Sequence, residues 1–449
     1  MHKHRQHHRR SFRPRFEALE PRLNMSVVLG FDGQQRLTSI SEDALGQADA
    51  VSLVAQADGR VSVHEGAAAL GTFVPARNLS ISLGAVKPGL VNLLQLDNHT
   101  VKTNLDVNLQ SPGGTPAPTQ FRVLGGKVDV AGEGTIDGNV RVRGGAGNQF
   151  FVFGEFGRAV AHVVNVTGWL SADMGPGGES FPNGAPDAVA SVGRPPAAGA
   201  SGDIARVNVR GNVDVRNANV FTIAGSVGGN LTMDSRAKSS FQQVVLGNFG
   251  RPFTLNGNAV IRTGGGNDSI AVENATLRKN LSIYSGAGND TIELANSDPN
   301  NGAPYVDVPA TVRGNVYLDL GDGDDVVEFG AASQVVAGAT VRFHVGGSLT
   351  VDGGAGNEML KFIDARLDGH SIDLRTGQGN DKIEVSHLEA ARAHVLAKLG
   401  DGDDTLTFAD GASLAVRRFT ADGGRGGDDV EFGDLAAMPS WLKLLNFES

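Results

Sequence analysis

Cysteine is absent from the 449 residues, which excludes disulfides, thiolate metal sites and a thiol nucleophile. The compartment stays open on that count, because an exported protein with a self-supporting fold needs no disulfides. Aromatics are scarce at 6%, with only Trp169, Trp441, Tyr284, Tyr305 and Tyr317 beside the phenylalanines. The stacking platforms of a sugar cleft therefore have little to draw on. No stretch approaches the roughly 20 apolar residues of a membrane-spanning helix. The basic start, MHKHRQHHRR, is not followed by the apolar run of about 7–15 residues that an ordinary signal peptide carries. The body is also short of positive charge: residues 261–435 hold 28 Asp and Glu against 14 Lys and Arg, within a net charge of −10. With no basic stripe, nucleic acid is a poor partner and cations are natural ones.

Glycine is present in excess, at 62 residues, beside a 40% hydrophobic share that suffices for a core. This mix favours short strands and many turns, and it is not that of a disordered chain. One short phrase recurs seven times: GGGNDSIAV at Gly264, GAGNDTIEL at Gly286, GDGDDVVEF at Gly321, GAGNEMLKF at Gly354, GQGNDKIEV at Gly377, GDGDDTLTF at Gly400 and GRGGDDVEF at Gly424. A weaker copy, GAGNQFFVF, starts at Gly145, and the steps between the seven are 22, 35, 33, 23, 23 and 24 residues. A period in this range is the signature of a solenoid. A second phrase, Gly-Asn followed by alternating residues, accompanies it: DGNVRVRG from Asp137, RGNVDVRN from Arg210, GGNLTMDS from Gly228, NGNAVIRT from Asn256 and RGNVYLDL from Arg313.

Alternation over four to eight residues marks strands with one buried face. Like phrases at constant spacing are best paired each with its own copy one unit on. The expected fold is thus all-β, a right-handed parallel β-helix or β-solenoid with coils of about 22–24 residues and Gly-rich acidic turns. Two interior columns follow: Ile270, Ile292, Val327, Leu360, Ile383, Leu406, Val430, and Val272, Leu294, Phe329, Phe362, Val385, Phe408, Phe432. Residues 1–26 are expected to be a basic export or targeting segment, 27–137 irregular early coils, 138–435 the regular repeats and 436–449 a C-terminal cap. Residues 174–202, rich in Pro, Gly and Ala, read as an exposed loop, and insertions at 295–310 and about 330–340 account for the enlarged steps.

Function enters at the fifth position of the repeat, occupied by Asp268, Asp290, Asp325, Glu358, Asp381, Asp404 and Asp428. Stacked at about 4.8 Å, neighbouring charges would repel by roughly 1 kcal/mol in water and about 3 at an effective dielectric of 20. Further acids stand at Asp322, Asp324, Asp401, Asp403 and Asp429. Something must neutralise them, and Ca2+, which takes six to eight oxygens in flexible geometry, is the expected agent. The metal ligands expected are the seven fifth-position acids together with Asp324 and Asp403. The alternative is that Gly-Asn-Asp forms a tight turn with solvated acids, in which Asn267, Asn289, Asn357 and Asn380 stack as hydrogen-bond ladders.

The phrases GGAGNE, GAGND and GQGND resemble the haemolysin-type (RTX-like) nonapeptide, a calcium-binding β-helix repeat. The resemblance implies an ion between loops of successive coils, held by the Asp and by loop carbonyls. It lends the loop chemistry rather than the coil geometry, because one loop recurs here per roughly 23 residues and not every nine. Phe16 to Arg22, FEALEPR, resembles the Leu-Glu-Pro-Arg N-terminal motif of many large exported planctomycete proteins (LEPR-xLL), with Asn24 and Met25 where that motif carries a Leu pair. This resemblance implies export or surface display.

The expected function is that of an extracellular or cell-surface structural or adhesive rod that binds calcium and is not an enzyme. Its partners would be calcium ions and cell-envelope or extracellular polysaccharide or protein, with no transmembrane segment. The runner-up is a polysaccharide-acting lyase or hydrolase, which requires one cleft with clustered acids and basic residues. No catalytic residue is singled out: the acids recur at every coil, and no nucleophile elbow, P-loop or His-based metal motif is present.

Overall fold

A computed structural model describes residues 27–42, 50–83, 91–109, 119–145, 149–153, 162–175, 188–192, 206–247, 252–294, 310–330, 343–433 and 440–448. The described residues hold no helix and form one continuous hydrogen-bonded sheet of forty strands. The repeats pair in parallel, each with its own copy in the next coil. The solenoid reading therefore stands.

One coil illustrates the rest. Ala259–Arg262 leads into the Gly-rich turn at 264–268, Ser269–Val272 leaves it, Ala275–Leu277 follows, and a corner at Asn280 returns the chain to Leu281–Tyr284. The strand leaving the Gly-rich turn is called here the first face, the next the second, and the strand that re-enters the turn the third. Alternating buried and half-buried residues along each strand place every second side chain inside.

The first-face columns are in register throughout. Ile270, Ile292, Val327, Leu360, Ile383, Leu406 and Val430 pair in succession, as do Val272, Leu294, Phe329, Phe362, Val385, Phe408 and Phe432. Like over like lets flat rings stack: Phe329 on Phe362 at 4.6 Å and 14°, Phe408 on Phe432 at 5.7 Å and 8°. Such pairs add about 0.5–1.5 kcal/mol beyond the area they bury. One core runs from Val27 to Leu442.

The ends depart from the repeat. Val27–Phe31 pairs antiparallel with Leu37–Glu42, and Val51–Ala55, Val61–Glu65 and Ala68–Phe73 form an antiparallel meander. Parallel stacking then carries Asn78–Ser82 onto Asn104–Asn108. At the other end Leu442–Leu445 adds a last parallel strand over Phe419–Asp422. Within 174–202, read as an exposed loop, Ala188–Val192 is a first-face strand paired in register with Gln149–Phe153 and Val220–Ile223. Residues 1–26, 295–309 and 331–342 lie outside the described residues.

Candidate functional site: a buried column of acids

The Gly-rich turn positions the acids. Gly321 has φ +90° and Gly379 φ +132°, values that L side chains rarely adopt, and a Cβ at Gly379 would collide with the carbonyl oxygen of Gly356 one coil back. The turns therefore nest backbone to backbone. The two residues that follow the second Gly then point opposite ways, as neighbours on an extended chain must.

The fifth residue points inward. Asp268, Asp290, Asp325, Glu358, Asp381, Asp404 and Asp428 are each exposed by 2% or less. The fourth points outward, so Asp324 and Asp403 are exposed. The expected ligand set is thus divided into two columns on opposite sides of the turn, seven acids inside and two outside.

Each column is a hydrogen-bond ladder, and the two run in opposite directions along the rod. On the inside, the N–H of Asp268 donates to Oδ1 of Asp290 (2.7 Å) and that of Asp290 to Oδ1 of Asp325 (2.7 Å). Further on, the N–H groups of Glu358, Asp381 and Asp404 donate to Oδ1 of Asp381, Asp404 and Asp428 at 2.9, 2.8 and 3.1 Å. Each of these Asp carboxyls thus reaches back to the coil before it, whereas that of Glu358 does not. On the outside each side chain serves the coil after it: the N–H of Asn289 donates to Oδ1 of Asn267, Asp324 to Asn289, Asn357 to Asp324, Asn380 to Asn357 and Asp403 to Asn380. The expected asparagine ladder is present, with Asp324 and Asp403 as rungs.

The inner column extends further than its acids. By register, Asp268 stacks on Gln242, Gln242 on Asn219, Asn219 on Ala188 and Ala188 on Gln149. Gln149, Asn219 and Gln242 are buried. Gln242 donates both its backbone N–H (2.8 Å) and its Nε2 (3.3 Å) to Asp268, and Oε1 of Gln149 accepts from the N–H of Gly145. Gln149 is the fifth residue of the weaker copy at Gly145, whereas Asn219 and Gln242 were not singled out in the sequence. The signal for them is parity: Gln242, Val244 and Leu246 are two apart, as are Asp268, Ile270 and Val272, so the polar residue shares the apolar face.

The second oxygens are the unusual feature. Oδ2 of Asp290, Asp325, Asp381, Asp404 and Asp428 and both oxygens of Glu358 are buried with no hydrogen-bond partner. The hydroxyls of Thr263, Ser285 and Thr376 donate to the carbonyls of Ser285, Leu320 and Leu399, and those of Thr263 and Ser285 also lie against the carboxyls of Asp268 and Asp290. Among the described residues no ion pair involves a column acid, and those of these coils, such as Lys361–Glu328 and Arg425–Asp401, are on the outer surface. Burial pushes Asp268 and Asp325 up to about 7 and Asp290 and Asp404 up to about 6. Glu358, buried and set against the carboxyl of Asp381, is pushed up to about 9.

The column can therefore hold protons or cations, but not seven bare charges. Calcium fits these donors in kind but not in number. It takes six to eight oxygens, whereas each Asp beyond Asp268 offers one uncommitted oxygen. Among the described residues no group of three or more acids or histidines is placed to hold a metal ion. No protein-family model, curated protein or solved structure matches the chain.

Proposed function

We propose that the protein is a non-catalytic structural or adhesive rod of the cell exterior, with the acid column as its neutralised spine. The observation that supports this most is the repetition itself. Acids occupy the same inward position in seven consecutive coils, whereas a catalytic site would concentrate its acids at one. A repeat used at every coil serves the length of the rod. The extracellular placement rests on the Leu-Glu-Pro-Arg resemblance at Leu19–Arg22. Labelling of intact cells with an antibody to the folded chain tests it; label only after permeabilisation would overturn it.

Two agents could neutralise the spine. Protons are favoured, because burial raises Asp268 and Asp325 to about 7 and Glu358 to about 9. Calcium is the second reading, favoured by the uncommitted oxygens on successive coils. It would be held by Asp268, Asp290, Asp325, Glu358, Asp381, Asp404 and Asp428, with turn carbonyls completing the shell, and it would supply charge neutralisation and cross-linking of coils. Asp324 and Asp403 would add surface oxygens to an ion on the outer side.

A further inference from the structure

A cavity of about 310 Å³ opens at the corner between the second and third faces, lined by Arg366, Leu367, Asp368, Glu389, Ala391 and Arg392. Its origin lies in corner length. From the outward residue of the second face to the first buried residue of the third, paired coils run His344 to Leu349, Arg366 to Ile372, Glu389 to Val395 and Ala415 to Phe419. The advance is five, then six and six, then four positions. Two swollen corners therefore overhang a contracted one.

Elsewhere this corner is tied down by an asparagine ladder. The N–H groups of Asn258, Asn280, Asn315 and Ser348 donate to the side chains of Asn230, Asn258, Asn280 and Asn315. The asparagines stop at Ser348, where Ser371 and His394 succeed in the column. The swelling begins where the ladder ends.

The lining is chemically mixed. Asp368 is gripped from two sides, by His344 Nε2 at 2.9 Å and Arg366 Nε at 3.1 Å, and Arg366 also stands 3.9 Å from Glu389. The bond to His344 and that to Arg366 together hold the Asp368 carboxyl below its usual range, so it is an acceptor only. Arg392, at the rim, has no ion-pair partner among the described residues. Leu367 and Ala391 provide an apolar floor.

A free guanidinium fork matches a carboxylate in bidentate fashion. Two carboxylates close by accept hydrogen bonds from hydroxyls and repel a second anionic group. A bare anion would pair with Arg392 and face Asp368 and Glu389; a neutral sugar would add its hydroxyls to the acids, which already have partners, and leave Arg392 unmatched. One carboxylate on a compact ring with adjacent hydroxyls satisfies both. The volume lies at the low end of small-molecule sites, enough for a single ring. We propose that this corner binds a hexuronate unit of an acidic glycan, with its carboxylate on Arg392 and its hydroxyls on Asp368 and Glu389. The site does not depend on where the rod is displayed or on what neutralises its spine.

Calorimetric titration of the full chain with trigalacturonate, in chelator to remove divalent ions, tests this. Saturable binding is expected, weakened at least tenfold by Arg392→Ala, with galactotriose and sulfate each binding at least tenfold more weakly. Absence of saturable heat, or binding indifferent to Arg392→Ala, overturns the proposal. Sulfate binding as tightly as trigalacturonate also overturns it, by reducing the corner to a simple anion patch. Should the variant misfold, hydrogen exchange on the unaltered protein takes over. Trigalacturonate must then protect amides across 389–394, and unchanged exchange there counts against the site.

Discussion

Oδ1 of Asp290 lies 2.7 Å from the backbone nitrogen of Asp268, one coil before it, and the Oδ2 of the same carboxyl is buried with no hydrogen-bond partner. One oxygen closes the backbone of the preceding turn; the other is the cost of having an acid there. An amide has the same accepting oxygen without the charge. Asp290→Asn should therefore exceed the parent's melting temperature by more at pH 8.5 than at pH 5. Asp290→Leu removes the acceptor and leaves a buried N–H unpaired, at about 1–3 kcal/mol, so it should melt lower at both values. Thermal melts of the three proteins decide, and an Asn variant as labile as the Leu variant would show that the accepting oxygen is not what the position supplies.

Proton linkage gives the whole rod an unusual pH dependence. An acid whose folded pKa is raised binds protons more tightly in the fold than in the unfolded chain. Its contribution is fully present below the ordinary carboxylate range and is lost as pH rises through the folded value. That loss begins in the ordinary carboxylate range and is complete just above about 6 for Asp290 and Asp404, about 7 for Asp268 and Asp325, and about 9 for Glu358. Stability should fall steadily from about pH 5 to about pH 9, the reverse of ordinary acid denaturation. Urea midpoints across that range measure it; a maximum near pH 8 would mean that the column is charged in the folded state.

Much of this was legible in the residues. The spacing of Ile270, Ile292 and Val327 gave the register, and Gly-x-Gly located the turns. The inward aim of Asp268 was legible too, since it stands two before Ile270 on an alternating strand. The expectation gave these acids to calcium, with solvent as the alternative, because an acid is ordinarily not buried bare, and only the backbone N–H of the neighbouring coil shows what makes burial tolerable. The strand at Ala188–Val192 was hidden by the Pro- and Gly-rich sequence around it. The corner at Arg392 could not be foreseen, because it depends on a difference in corner length between coils that share no motif there.

Glu358 is the misfit of the column. Both of its oxygens are buried without a hydrogen-bond partner, whereas Asp381 and Asp404 each reach the coil before them. Glu358→Asp should place Oδ1 to accept from the N–H of Asp325, a net gain of about 1 kcal/mol set against a small void. A urea midpoint above the parent's at pH 6 is the expected outcome. A lower one would mean that packing of the methylene outweighs the new bond.

Calcium and protons compete for the same oxygens, so the ion's effect should depend on pH. If calcium binds the column, melts at pH 8 should rise by several degrees in millimolar calcium over chelator, because a ligand of the folded state alone stabilises by mass action. The rise should shrink at pH 5, below the raised values of Asp268, Asp290, Asp325, Glu358 and Asp404. Coincident curves at pH 8 would remove calcium and leave protons as the neutralising agent.

Gly379 tests whether the spine is one cooperative body. A side chain there meets the Gly356 carbonyl and an unfavourable φ at once, so Gly379→Ala should prise two turns apart rather than deform one side chain. The inner rung from Asp381 to Glu358 and the outer rung from Asn380 to Asn357 both cross that joint. Coils in a solenoid stabilise only their neighbours, and the damage should stay local to the joint. The C-terminal coils should then melt first, in a separate transition, with the coils before Gly354 unfolding near the parent temperature. Calorimetry of the variant reads this directly: two transitions are expected, and a single transition at lowered temperature would show that the rod unfolds as one unit.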